Sequence, residues 1–221
     1  MAASPPRRAL LAGLVSKFRP AVPLPVPEPA EEPAPDAGQE VDFAAYAEDC
    51  QLFGFLRLDA ERLTDALNNC DEVTLADVLA VALADGRVTA SRSLTVGRDE
   101  LLVVRASGPR GNPARRRNTR LYPVIVVSGP YRVRGYLHGP PASDPLVGLH
   151  HRPPMVPLTE AWISYSLAGA EHRARAGTLI VNLEITDSIW LARDEDVRSP
   201  SLPFEPRIDP RAKDLTGYLR T

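Results

Sequence analysis

The chain has 221 residues with 26 basic and 28 acidic side chains, which gives a formal net charge of −2. This balance excludes a strong overall attraction to nucleic acid or to anionic lipid. No apolar stretch approaches the ~20 residues that cross a bilayer. The two cysteines, Cys50 and Cys70, are too few for a disulfide framework and fit a reducing compartment. We therefore expect a cytoplasmic protein without a membrane span.

Residues 1–40 are expected to form a disordered, proline-rich arm. Within this arm, residues 7–18 place leucines and a phenylalanine at helical spacing between basic residues. Such a pattern is typical of a short amphipathic helix that docks on a membrane or on a partner. A disordered tail with a few apolar residues is the alternative. Residues 20–29 carry proline at nearly every second position, which favours a polyproline II spacer.

The first folded copy is expected to span residues 41–106. Residues 59–84, read alone, have leucines at the spacing of one long helix. The matching part of the second half holds several prolines, which no continuous helix tolerates. We therefore predict a helical turn over residues 62–69 and a strand over residues 78–83.

Glycine and proline mark residues 107–121 as a linker between the halves. The linker is rich in arginine and has no acidic residue. Guanidinium groups suit phosphate, and a basic segment can neutralise several phosphates of a nucleic acid. A solvated linker that balances acidic surface elsewhere is the alternative. The candidate phosphate-binding residues are Arg115, Arg116, Arg117 and Arg120.

The second folded copy, residues 122–197, has plainer strands and is followed by a C-terminal tail, residues 198–221. Residues 124–127 form a continuous apolar run, rich in β-branched residues, that is typical of a buried strand. Five short strands in so few residues suit a small, strongly bent barrel of the SH3 or Sm type, since closure removes exposed edges. The other four strands are predicted over residues 131–137, 162–167, 177–181 and 189–191.

The two halves carry the same features in the same order. Residues 73–78 read VTLADV, and residues 156–161 read VPLTEA. A tandem duplication explains this order and predicts a mainly β fold of two tandem small barrels. We interpret the recurring acids as turn and cap residues that start hairpins rather than as an acid–base set, and we expect Leu158 and Trp162 to be buried. The recurring residues are Asp65, Leu75, Asp77, Asp144, Leu158 and Glu160.

Residues 143–146 read SDPL and precede the VPLTEA motif. Together they form the pattern Ser-Asp-x-Leu followed by hydrophobic-x-Leu-Thr-Asp-Ala, in which Glu160 stands at the place of the Asp. In this pattern the second copy resembles, over most of its length, a family of small bacterial β-barrel domains of unknown function. The first copy resembles it more loosely. The resemblance implies the fold and no activity.

No catalytic or metal-binding motif stands out in the sequence. Ser143 and Asp144 are explained as a turn, and no serine stands in a nucleophile-elbow context. His150 and His151 would point to opposite faces of an extended backbone, and the cysteines lack the CxxC spacing of a metal site. We therefore expect no cofactor, no metal and no enzymatic activity. The four histidines are at positions 138, 150, 151 and 172.

The sequence favours a non-enzymatic adaptor that binds a partner protein through barrel grooves or terminal segments. The alternative is a nucleic-acid or nucleotide binder that uses the linker arginines. A hydrolase is the third hypothesis, and it would require a Ser, His and Asp cluster that converges in a pocket.

Overall fold

A computed structural model describes residues 38–110, 119–141 and 144–198, apart from the side chain of His150. Arg115, Arg116, Arg117 and Ser143 lie outside the described residues, as do the terminal segments 1–37 and 199–221. The expectations for these residues stay predictions.

Eleven strands and two short α-helices make up the described part of the chain. Helix α1 (Leu63–Asn69) lies between the second and third strands, and helix α2 (Asp194–Arg198) follows the last strand. Neither of these described helices has the length or the apolar character that a bilayer span requires. The strands are β1 (Gln39–Tyr46), β2 (Cys50–Leu58), β3 (Glu72–Ala82), β4 (Val88–Gly97), β5 (Val103–Arg105), β6 (Arg120–Ser128), β7 (Tyr131–Gly139), β8 (Met155–Leu167), β9 (Ala170–Arg175), β10 (Thr178–Asn182) and β11 (Ser188–Leu191).

All eleven strands belong to one open antiparallel sheet. Their order is β11-β6-β7-β8-β10-β5-β1-β2-β3-β4, and β9 shares an edge of β8 with β10. Within each half the order is the same: β5-β1-β2-β3-β4 in the first, and β11-β6-β7-β8 followed by β9 and β10 in the second. The predicted mainly β fold is therefore confirmed.

The sequence predicted two separate barrels, whereas the structure joins both halves in one open sheet. Strand β5 pairs with β1 on one edge and with β10 on the other, so that Arg105 has both Ala44 and Leu179 as partners. In a closed barrel, both edges of β5 would be hydrogen-bonded to strands of the same half. Here one of these edges is hydrogen-bonded to a strand of the other half.

Each half has its own hydrophobic core, and the shared strands β5 and β10 contribute to both. Val104 and Ile180 pack in the core of the first half, whereas Val103, Leu179 and Val181 pack in that of the second. Because successive residues of a strand point to opposite faces, the two cores lie on opposite faces of the shared strands. Neither core is complete without the other half.

Strands β3 and β8 each contain a β-bulge at the same place in the pattern. The bulged residues are Asp77 and Glu160, whose φ angles of 47° and 50° lie in the left-handed region. The extra residue shifts the in–out alternation by one, so that Leu75 before the bulge and Val78 after it are both buried. Leu158 is buried in the same way before Glu160. The two acids therefore mark mid-strand bulges, whereas the recurring pattern predicted the starts of hairpins.

A glycine faces each bulge from the neighbouring strand. Gly54 in β2 and Gly135 in β7 stand where the strand register shifts. A Cβ atom on Gly54 would lie 2.8 Å from the carbonyl oxygen of Ala76, and one on Gly135 would lie 3.2 Å from that of Thr159. The glycine within each strand-like run therefore reflects the close approach of the bulged backbone.

Most of the predicted elements are confirmed. The helical turn over residues 62–69 is α1, and the strand over residues 78–83 is the end of the longer β3. The linker boundary was wrong: Arg120 already belongs to β6, where it pairs with Gly139. Strand β9 was missed because all six of its residues are exposed and show no alternation.

Candidate functional site

An apolar groove of about 530 Å³ lies on the outer face of β1, β2 and β3. Its lining includes three large apolar side chains that are exposed: Phe53 at 39%, Phe55 at 38% and Leu79 at 46%. Phe53 and Leu79 are cross-strand partners, so their side chains lie on one face of the sheet. Large apolar side chains exposed together on one face of a sheet make that face a candidate interaction site. We call it the first-half groove.

Charged side chains surround the apolar part of the first-half groove. Asp42 on β1 is the cross-strand partner of Phe55, Asp77 protrudes at the bulge of β3, and Arg105 lines the β5 side. Within the described part of the chain, the carboxylates of Asp42 and Asp77 form no hydrogen bond or ion pair. These two carboxylates are available to a basic ligand.

Helix α2 covers the corresponding face of the second half, where it packs against β6 and β7. Equivalent positions on this face of the two halves are found by counting from the glycine that faces the bulge in each half. The residues that take the places of Phe53, Phe55 and Leu79 are Arg134, Tyr136 and Trp162.

Polar contacts and one apolar side chain hold α2 on this face. The Tyr136 hydroxyl donates to Oδ1 of Asp194 at 2.6 Å, and the Arg134 guanidinium donates to the carbonyl oxygen of Asp196 at 3.1 Å. Nε of Arg198 donates to the same hydroxyl at 3.1 Å, and Val197 is buried. Burial, together with the bond to Asp194, raises the pKa of Tyr136. A short helical segment thus covers the β6 and β7 part of the second-half face.

The first half has no such cover among the described residues. Residues 106–110 follow β5 as residues 192–198 follow β11, but they contain no helix. The continuing sequence, residues 111–118, reads GNPARRRN and offers no large apolar side chain to take the place of Val197. Phe53, Phe55 and Leu79 therefore stay exposed.

The residues of the recurring motif do not form one site. Leu75 and Leu158 are core residues, as predicted. Asp65 accepts a hydrogen bond from Nε of Arg62 at 2.8 Å in the first turn of α1. Asp144 accepts one from the backbone N–H of Leu146 at 2.9 Å, which is the predicted turn. Of the six motif residues, Asp77 lines the first-half groove.

Arg120 is the candidate phosphate ligand that the structure describes. Its guanidinium carbon lies 5.6 Å from the centroid of the Tyr122 ring. A Cβ atom on Gly139, the cross-strand partner of Arg120, would lie 3.5 Å from a guanidinium nitrogen of Arg152. Neither arginine pairs with a carboxylate of the described residues. The two cations therefore stand near the same end of β6 and β7.

His138 lies close to these arginines and is bound by two hydroxyl groups. Its Nδ1 is 3.0 Å from the hydroxyl of Thr119, and its Nε2 is 3.0 Å from that of Thr159. Burial and the charge of Arg152 lower the pKa of His138. Both ring nitrogens are therefore used in hydrogen bonding, and the surroundings disfavour the charged form of the imidazole.

The other candidate reactive groups are dispersed. His172 stacks on Tyr165 with ring centroids 5.6 Å apart. Cys50 is buried, Cys70 is exposed, and both are free thiols. Across residues 38–110, 119–141 and 144–198, no three His, Cys, Asp or Glu side chains are placed to hold one metal ion.

The residues of the first-half groove were not predicted from the sequence. Residues 52–56 read LFGFL and were interpreted only as a strand. A half-buried strand alternates apolar and polar residues, so the two phenylalanines on its outer face were the signal that this strand presents an apolar surface outward.

A scan against protein-family models gives no match for this chain, and searches of the curated proteins and of the solved structures give none either.

Proposed function

We propose that this protein is a non-enzymatic adaptor that binds a short segment of a partner protein in the first-half groove. One observation carries the proposal: α2 covers the outer face of the second half, whereas Phe53, Phe55 and Leu79 are exposed on the corresponding face of the first. Burial of apolar surface is the dominant favourable contribution in most protein associations. Covering these three side chains is thus the main source of affinity.

Helix α2 indicates the kind of segment that fits. It is little more than one helical turn long and buries one aliphatic side chain, Val197. The rim of the first-half groove carries the two acids Asp42 and Asp77 and the one base Arg105. The acids are in excess, so the complementary segment has Lys or Arg beside its apolar residues. A short amphipathic helix of apolar and basic residues meets both requirements.

We propose further that the halves are copies of one duplicated unit related to the small SH3- or Sm-like barrels. The shared strand order, the positive φ angles of Asp77 and Glu160, and the glycines that face them support this proposal. A cytoplasmic location is part of the same proposal, and the two free cysteines are compatible with it.

A selection of displayed peptides on the full-length protein tests the adaptor function. We expect the selected sequences to combine apolar residues with Lys or Arg and to bind with micromolar Kd in fluorescence anisotropy. Leu79→Ser should weaken binding at least about tenfold, since it removes a central apolar side chain of the groove. The matched control is Leu121→Ser, because Leu121 is similarly exposed, at 44%, but lies on β6. Peptides that bind both variants equally would exclude the groove as the site.

Phosphate binding by Arg115, Arg116, Arg117 and Arg120 is a second candidate function. The observation that favours it is that Arg120 and Arg152 stand near the same end of β6 and β7 without a carboxylate partner among the described residues. Replacing the four arginines by alanine should then weaken retention on nucleic acid. The slope of log binding constant against log salt concentration should also become shallower, by about 0.9 for each duplex phosphate that the variant no longer neutralises. Equally weak retention of both proteins on random-sequence DNA and RNA would remove this candidate.

A further inference from the structure

We infer that residues 7–19 of this same chain occupy the first-half groove in the free protein, so that a partner segment must displace them. The inference rests on the proposed function of the groove and adds its regulation. Three properties of the chain support it: the composition of the segment, its reach, and the unsuitability of the other segments.

The composition of residues 7–19 is complementary to the first-half groove. The segment has no acidic residue, and its cations match the carboxylates of Asp42 and Asp77. At helical spacing its apolar side chains fall on one face of the helix. The apolar surface that they would cover likewise lies on one face of the sheet. The cations are Arg7, Arg8, Lys17 and Arg19, and the large apolar residues are Leu10, Leu11, Leu14, Val15 and Phe18.

The segment can reach the groove. The described chain begins at Gly38, and Asp42 in the first strand already lines the groove. The intervening residues 20–37 are rich in proline and would span up to roughly 55 Å as polyproline II. A tether of this length exceeds the distance from Gly38 to the groove, so the contact is an intramolecular one that needs no second chain.

The other segments of the chain fit less well. Residues 111–118 contain no large apolar side chain. Residues 199–221 continue from α2 in the second half and mix acidic with basic residues. They therefore match the carboxylates of Asp42 and Asp77 less well than residues 7–19, which have no acidic residue. A second copy of the chain also carries residues 7–19. The experiment therefore distinguishes binding within one chain from binding between two copies.

Paramagnetic relaxation in the full-length protein tests the inference. A nitroxide is attached at Ser16→Cys in a Cys70→Ser background, with Cys50 left in place because it is buried. We expect strong broadening of the backbone amide signals of Phe55 and Leu79 and little effect on β11, which lies at the far end of the sheet. Asp42→Asn combined with Asp77→Asn should remove at least half of the broadening, whereas Glu160→Gln in the second half should not.

The outcomes separate the possibilities. Broadening that also appears when spin-labelled, isotopically unlabelled protein is mixed with unmodified ¹⁵N-labelled protein would assign the occupant to a second copy and overturn the inference. No broadening of Phe55 or Leu79 in either sample would overturn it as well. In both cases the adaptor function still stands if selected peptides bind the groove.

A competition measurement adds a second readout. Leu11→Ser combined with Leu14→Ser removes the internal competitor, and it should raise the affinity of a selected peptide about two- to tenfold. An unchanged affinity would mean that residues 7–19 do not occupy the groove.

Discussion

Asp77 and Glu160 adopt the same left-handed backbone conformation, with φ angles of 47° and 50°, and each stands two residues after a buried leucine. This conformation costs an L-residue about 1–2 kcal/mol, and Asp visits it more readily than most residues. The bulge that it creates turns Leu75 and Val78 to the same side of β3. In the first half it also places the Asp77 carboxylate at the rim of the groove.

Replacing Glu160 by glycine should stabilise the protein. Glycine removes the cost of the left-handed conformation but adds chain entropy to the unfolded state, so we expect a net gain of about 0.5–1 kcal/mol in the free energy of unfolding. Asp77→Gly should gain less, and Glu160→Val should lose stability. Urea denaturation measures all three variants. If the Glu160→Gly variant unfolds at a lower urea concentration than wild type, the backbone of Glu160 is not strained in the bulge.

Replacing Gly54 or Gly135 by alanine should destabilise the protein by about 1–3 kcal/mol, because the new Cβ atom meets the backbone or side chains of the facing bulge. The matched control is Gly177→Ala, since no atom lies within 4 Å of a Cβ at Gly177. Urea midpoints of the three variants provide the comparison. Equal stability of all three would show that the bulge tolerates a side chain.

The elements of this fold were predictable where the sequence contains local physical signals. The recurring motif located Leu75 and Leu158 in the core, and the prolines of the second half excluded a long helix in the first. The recurring acids showed where the halves correspond, although their place in a bulge depends on the partner strand and is not visible in a local pattern. Trp162 was expected in the core and is half-buried.

The single sheet and the groove depend on contacts that local sequence does not specify. The pairing of β5 with β10 joins segments far apart in the chain, and a short apolar strand does not reveal which edge it will meet. The exposure of Phe53 and Phe55 depends on whether another segment covers them, as α2 covers Tyr136 in the second half. The apolar run was visible in the sequence, but its exposure among the described residues was not.

Truncating Leu158 to alanine should cost about 2–5 kcal/mol of unfolding free energy, because the side chain is buried and its removal leaves a cavity. Leu79→Ala is the matched control in β3, since this leucine is 46% exposed. Leu79→Ala should lose less than about 1 kcal/mol while it weakens peptide binding. Urea titrations of both variants separate stability from binding. A loss below about 1 kcal/mol for Leu158→Ala would show that Leu158 is not part of the core of the second half.

His138 should make the protein less stable as the solution becomes acidic. Burial and Arg152 lower its pKa from the ordinary value of 6.5. The unfolded chain therefore binds a proton at higher pH than the folded chain, and stability falls as the pH drops below about 6.5. His138→Gln should flatten the change in urea midpoint between pH 8 and pH 5. Arg152→Gln should flatten it partly, because it removes a repulsive charge. Identical pH profiles of wild type and His138→Gln would exclude this role.

The two cysteines should differ sharply in reactivity. Cys50 is buried, and burial together with the neighbouring Asp49 raises the pKa of its thiol, so the reactive thiolate is scarce and shielded. Cys70 is exposed after α1. Iodoacetamide at pH 8 should therefore modify Cys70 at least ~100-fold faster than Cys50, since Cys50 reacts only through local opening.

Peptide mapping by mass spectrometry measures both rates. In the control variant, Cys70→Ser, the native protein should stay unmodified and should react fully in denaturing urea. Modification of native Cys50 at the rate of Cys70 would mean that the core of the first half opens readily. Protection of Cys50 would establish the Cys70→Ser background in which a single introduced cysteine can report on the first-half groove.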